Sequence, residues 1–445
     1  VGLLWCLALL AIVVIGVLHT ARMDLMVEKS YSDRIQAHYL AVAGVEKAKA
    51  LLYQDAGERS RTSRNHSGEL YNAAQAFRSV SLGRGEFSVF RQARPDEGGG
   101  VIYGVSDEES RLNVNVASSD ELGRLPQVTP DMAAAIIDWR DPDNEVAPGG
   151  AEADYYTSLK PPYLPRNGPI QTLRELLLVR GVSPQFLLGN SGQVKLLEPV
   201  EPGAAGNGFE EVDYGLSEYL SVAAVEDNVS AAGEDRVNAQ TAGETELAAV
   251  RGLSSQMAKA IVSYRGQNRL NSLADLLDVT SAQGQNQSTG SATNSGRSGS
   301  RSSGSSSGSS SGSGTKVISA DLLAEVADSL TVQSDRTQYG LMNINTAGLE
   351  VLACLPGCNR ELAQAIIGYR QGNGFFDNPA QLLKVPGITQ EIFKQMAPRV
   401  TARSETYRIL CEGKIRSTGT RQRIEEVVHV GLNSVTTLAY REDDL

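Results

Sequence analysis

Histidine, cysteine and aromatic residues are all scarce in this chain, and each shortage closes a door. Four histidines and four cysteines are spread over 445 residues. That is too few for a disulfide scaffold and a thin supply for imidazole-based metal or nucleophile sites. His19, His38, His66 and His429 have no Ser or Cys nucleophile in a recognisable setting, which argues against a hydrolase and for a non-enzymatic protein. Aromatics make up 6%, and no glycine-rich phosphate loop follows a strand-like run. Positive charge is short as well: 41 Lys and Arg against 52 Asp and Glu give a formal net charge of −11. Such a surface repels phosphate backbones and disfavours nucleic acid as the principal ligand. What remains, 41% hydrophobic residues, suffices for two or three packed domains.

Charge and proline are missing altogether from Val1 to Leu18. About 18 apolar residues at 1.5 Å rise make ~27 Å of helix, enough to cross a bilayer core. A cleavable signal would show a basic leader and a small-residue cleavage site, and a buried core helix would need cover that a terminus rarely has. The expectation is a retained single span over residues 1–18. Arg22, Asp24, Glu28 and Lys29 nearly cancel and leave its orientation open. Beyond the span, Met23, Met26, Val27, Tyr31, Ile35, Tyr39, Val42, Val45 and Leu52 recur at three- and four-residue spacings. This predicts an amphipathic stem running to about Ala56, with a bend near Gly16 to Thr20 as the alternative. Ile35, Tyr39 and Val42 have the spacing of anchors for a helix-in-groove partner contact.

Strand-like segments follow at Glu86–Arg91 and Val101–Val105, and again at Thr406–Cys411, Arg423–Val430 and Val435–Tyr440. The two flanks predict one antiparallel sheet under the stem, an α+β fold, with residues 19–112 and 404–445 enclosing an insert over 113–403. Within the insert a unit recurs three times. It begins Arg111-Leu-Asn-Val-Asn, Arg236-Val-Asn-Ala-Gln and Leu341-Met-Asn-Ile-Asn, and reaches Trp139-Arg, Tyr264-Arg and Tyr369-Arg. Each is followed by an expected amphipathic helix, at Leu173–Val179, Leu273–Val279 and Pro379–Val385. Asn and Thr supply caps and Pro or Gly the turns, so each unit predicts helix, tight turn, helix. Residues 284–314 are Ser, Gly, Asn and Gln with little to bury, the composition of a flexible linker.

The unit resembles the helix-hairpin-helix motif, whose hairpin amides often grip DNA phosphates. A membrane-anchored DNA-uptake receptor is therefore the alternative reading. The hairpins Leu-Pro-Gln-Val, Arg-Gly-Leu-Ser and Pro-Gly-Cys-Asn mostly lack the second Gly and the basic residue of DNA-binding versions, which favours a packing role. Asp138, Asp141, Asp143, Asn144 and Glu145 crowd together, with Glu152 and Asp154 after Gly149-Gly150. By residue type this is either a Ca²⁺ loop or a solvated loop with Asp caps; Val146 stands where an EF-hand needs Gly. Cys354 and Cys358 flank the third hairpin and would bridge in an oxidising compartment if geometry allows.

Several blocks together are similar to one family. They are Ser110-Arg-Leu-Asn-Val-Asn, Ile137-Asp-Trp-Arg-Asp-Pro-Asp, Gly150-Ala-Glu-Ala-Asp-Tyr-Tyr, Pro161-Pro-Tyr and Thr172-Leu-Arg-Glu-Leu. With the apolar start and stem they resemble the protein K family of general, type II, secretion, the large minor pseudopilins. The resemblance implies a pseudopilin core split by a large helical domain, and a place at the tip of a short periplasmic filament in complex with I- and J-type minor pseudopilins. It also implies an inner-membrane anchor, processing by prepilin peptidase upstream of Val1, and an apolar helix without the usual early acidic residue. Leu3–Leu18 indeed has none. The family's calcium binding points to a structural Ca²⁺ on Asp138, Asp141, Asp143, Glu152 and Asp154.

Overall fold

The computed structural model describes residues 2–66, 68–97, 100–189, 215–281 and 315–443. The expected linker at 284–314 lies outside them. Gly2–Thr62 is one continuous α-helix, about 90 Å long at 1.5 Å per residue. It passes Gly16 and Thr20 as regular helix and overruns Ala56 by almost two turns. Asp55 pairs with Arg59 at 3.0 Å, one turn apart, and buried Arg59 donates to the Ser404 carbonyl, so the last turns are tied to the body of the protein.

The stem lies on an antiparallel sheet in the order Val80–Leu82, Gly85–Val89, Thr406–Ile415, Arg421–Val430, Val435–Asp443. Residues from both ends of the sequence therefore share one sheet; Cys411 stands opposite Val89. Ala37, Leu40, Ala41, Val45, Ala48 and Leu52 of the stem pack with Phe87, Val89, Ile409 and Ile424 in its core. The expected strand at Val101–Val105 is displaced. Val101–Ile102 pairs with Arg91–Gln92 outside the main sheet, and Ser106–Asp107 joins the central strand instead. Gly104 explains the break, because it is pressed against the Tyr71 carbonyl carbon, 2.6 Å from where a Cβ would sit.

Between Asp107 and Thr406 the chain builds three like modules around a second core. Each opens on a two-residue strand and closes by pairing back on it in parallel: Leu112–Asn113 with Leu220–Ser221, Val237–Asn238 with Leu330–Thr331, Met342–Asn343 with Val400–Thr401. Thr129, Ser254 and Asn359 cap the second helix of each module through their side chains. The amphipathic segments expected after these helices are 3₁₀ turns, Leu173–Leu178, Leu273–Asp278 and Pro379–Lys384.

The repeated sequence signals prove to be internal braces. Asn113, Asn238 and Asn343 each accept the N–H two residues on. Arg140 donates to the Val114 and Ala117 carbonyls, Arg265 to Ala239 and Arg370 to Ile344. These arginines, in the last turn of the second helix in each unit, hold the segment that follows its opening strand. In the third module buried Asn345 donates to the Phe376 and Ala402 carbonyls, both at 2.9 Å, and accepts the Phe376 N–H at 2.7 Å. Asn345→Ala would leave those backbone groups unpaired in the core. A loss of about 2–3 kcal/mol in urea unfolding is expected, and a loss below 1 kcal/mol would show that the brace is dispensable.

Candidate metal centre and docking face

The acidic loop begins at the C-terminal end of helix Pro130–Arg140 and ends at the start of helix Ala153–Thr157. Asp138 is fully buried on the first helix, Asp141 caps its end, and Glu152 is the residue immediately before the second. One carboxylate oxygen from each of Asp138, Asp141 and Glu152 lies within 4.8 Å of the others. Gly149, at φ 83°, turns the chain, and Gly150 lets it pass against the Asp138 carboxylate, where a Cβ would be 2.9 Å from Oδ1.

Asp138 accepts the Ala147 N–H at 3.3 Å. Three other oxygens, Asp141 Oδ1 and both of Glu152, are buried without a hydrogen-bond partner. Burial, then the charges of Asp138 and Asp141, push Glu152 up to about 7, and Asp138 and Asp141 are raised as well, chiefly by burial. Like charges converging in a dry pocket are costly unless a cation joins them. The donors are all hard oxygens, so the residues fit a Ca²⁺-type ion.

Two of the five expected ligands are placed less centrally. Asp143 is exposed; its Oδ1 accepts the Glu145 N–H at 2.8 Å, although its charge is felt at Asp141 and Glu152. Asp154 is exposed in the first turn of the second helix, outside the cluster of three. With Glu152 directed inward, helical geometry turns a residue two positions on through about 200°. Asn167 was not an evident participant. Its Nδ2 donates to the Asp143 carbonyl at 2.6 Å and to Asn144 Oδ1 at 3.0 Å, while its own Oδ1 is buried and unpartnered. Arg180, in the Val-Arg-Gly-Val turn, donates to the Gly149 carbonyl and lies over the Tyr155 ring, so it holds this loop.

Cys354 and Cys358 are free thiols, as are Cys6 and Cys411. The bridge expected across the third hairpin is not formed. Cys354 turns its Sγ to the Glu350 carbonyl at 3.2 Å and Cys358 to Asn359 at 3.5 Å. Burial pushes both thiols up, to about 12 and about 11, which keeps them protonated and inert.

On the stem, Ile35 and Tyr39 are 43% and 65% exposed and face away from the sheet. Val42 departs from the expected docking stripe: it is half-buried and packs on the sheet core. Residues 2–32 are exposed throughout, and this half of the helix is long and apolar enough to cross a membrane.

Residues 111–189, the first module with its acidic loop, match the family model of type II secretion system protein K. Over this stretch the chain is similar to protein K of type II secretion. Residues 233–282 and 338–401, in the second and third modules, match the helix-hairpin-helix motif. The type II secretion protein K of Klebsiella pneumoniae is 30% identical over 156 residues, 34% of this chain and 47% of that protein. ComE operon protein 1 of Bacillus subtilis is 40% identical over 73 residues, 16% of this chain and 36% of that protein. The chain thus spans less than half the length of either relative. A solved chain in the GspK-GspI-GspJ complex of enterotoxigenic Escherichia coli aligns over 94% of this chain and 99% of its own, with 12% identity and a TM-score of 0.46.

Proposed function

We propose that this chain is anchored in the bacterial inner membrane with its bulk in the periplasm, and that it caps the pseudopilus of type II secretion and assists protein export. The observation that carries this is where the insert sits. It closes over the far end of the stem: Ser60 donates to the Ala232 carbonyl, and Asn65 to Asp328 and to the Asp377 carbonyl. The opposite end of the same helix is the bare apolar segment. A subunit crowned in this way offers its lower stem to neighbours and leaves little room for another above. An apolar helix without an early carboxylate fits that terminal position.

The DNA-receptor alternative draws on the helix-hairpin-helix match. Against it, Arg140, Arg265, Arg370 and Arg180 spend their guanidinium groups on this chain's own carbonyls, and the net charge of −11 opposes a phosphate backbone.

The partners of the stem are I- and J-type pseudopilins, held by an apolar helix face. Pull-down of the full chain in detergent tests this. Ile35→Asp with Tyr39→Asp should lower recovery of both partners by roughly tenfold or more, since burying two charges in place of apolar anchors costs several kcal/mol, while the melting midpoint stays put. Unchanged recovery would defeat the docking face. Val42→Asp should instead unsettle the chain's own fold.

A further inference from the structure

We propose that Asp227, Glu405 and His429 form a second metal site, for a zinc-class divalent ion, that clamps the insert to the pseudopilin sheet. The three come from different parts of the architecture. Asp227 ends strand Val225–Asp227 of the insert. Glu405 precedes the central strand Thr406–Ile415, and His429 lies in its neighbour Arg421–Val430, where Thr406 stands opposite His429. One ligand atom from each falls within 4.8 Å of the others.

The imidazole carries the argument. Its Nδ1 is buried with no hydrogen-bond partner. Its Nε2 stands 3.7 Å from Asp227 Oδ2, beyond hydrogen-bond reach. That span suits an ion bridging the two atoms, because two bonds of about 2.0–2.1 Å meeting near the tetrahedral angle cover a similar distance. Gly431 borders the gap, with Asp227 Oδ2 and His429 Nε2 3.8 and 4.0 Å from where its Cβ would lie.

The surrounding charges leave room for a cation. Glu226, Asp227 and Glu405 gather here; Arg403 reaches Glu226 and Glu405, each at 3.1 Å, and Arg236 reaches Glu226 and Asp328 only at 3.8 and 3.7 Å. Glu405 gives one oxygen to Arg403 and accepts the Asp227 N–H at 2.6 Å on the other, which fixes its orientation and leaves a lone pair free. A nitrogen donor beside two carboxylates selects zinc, cobalt or nickel over calcium, so this site and the acidic loop differ in the ion they take.

The full chain in detergent, stripped with chelator and then supplied with saturating Ca²⁺, is titrated with Zn²⁺ by calorimetry and with Co²⁺ by visible absorption. One Zn²⁺ per chain and tetrahedral-type Co²⁺ bands are expected. Removing a ligand should weaken binding by at least the roughly 10–100-fold seen for lost outer-shell partners. His429→Gln and, as a second variant should that one fold poorly, Asp227→Asn should both show this loss, with Glu152→Gln and His66→Gln unchanged. No stoichiometric Zn²⁺ uptake by the parent chain overturns the proposal. So does uptake that survives both site variants, or that disappears with Glu152→Gln.

Discussion

Calcium should raise the melting midpoint of this protein, and EGTA should lower it again. Without metal, the carboxylates of Asp138, Asp141 and Glu152 converge in one buried pocket, where Asp141 Oδ1 and both Glu152 oxygens have no hydrogen-bond partner. An ion that binds only the folded chain stabilises it by RT ln(1 + [L]/Kd), about 2.7 kcal/mol at a hundredfold excess over Kd. Extracellular calcium modules work at a Kd on the order of 10⁻⁴ to 10⁻³ M, so millimolar Ca²⁺ is the concentration to test. Mg²⁺ should do much less, since it sheds water reluctantly and demands a rigid octahedron. Glu152→Gln with Asp141→Asn should abolish the calcium response while leaving the metal-free form at least as stable at pH 7, because it removes the repulsion. The pH dependence has a definite sign. Glu152 is raised from 4.5 to about 7 in the folded chain, so the fold binds its proton more tightly than the unfolded chain does. That contribution is complete below about 4.5 and is lost as pH rises through about 7. The metal-free protein should therefore weaken across this window, and calcium should help most at its upper end, where protons no longer compete. A melt indifferent to Ca²⁺ at every pH would remove the metal from this loop.

The sequence carried the architecture further than the sites, for physical reasons. Local periodicity exposed the stem, and self-similarity exposed the modules, because Asn-x-Asn or Asn-x-Gln openings and Trp/Tyr-Arg endings recur with the contacts they make. It did not show that these arginines face inward, since a buried guanidinium on a carbonyl and an exposed one on phosphate read alike. Nor could spacing divide the stem's stripe into its two faces. Leu40 and Val45 meet a sheet whose central strand lies at Thr406–Ile415, while Ile35 and Tyr39 meet solvent, and half-buried Val42 stands between them. In the acidic loop composition identified the charge, but only the start of a helix at Ala153 separates Glu152 from Asp154. Asp227, Glu405 and His429 left no local signal, because the joint between insert and sheet brings them together.

Between the stem and the sheet lies a position where a single methyl group should be felt. Gly413 sits in the central strand under the stem, and a Cβ there would overlap the Ala37 carbonyl and lie 2.6 Å from Ala41 N and 2.9 Å from Leu40 Cβ. The first two are backbone atoms, which cannot rotate aside as a side-chain tip can. Gly413→Ala must therefore lift the helix from the sheet, loosening Ala37, Leu40 and Ala41 from their core. Overpacking of this kind costs about 1–3 kcal/mol, and the upper end is expected because the obstacle is a whole helix. A matched control is Gly368→Ala in helix Arg360–Asn373, where a Cβ meets nothing within 4 Å. There the same substitution should be neutral or stabilising by up to about 1 kcal/mol, from helix propensity. The two variants, melted side by side, should separate by several degrees. Equal midpoints would mean that the stem does not lie this close to the strand, and the docking face assigned to Ile35 and Tyr39 would lose its geometric basis.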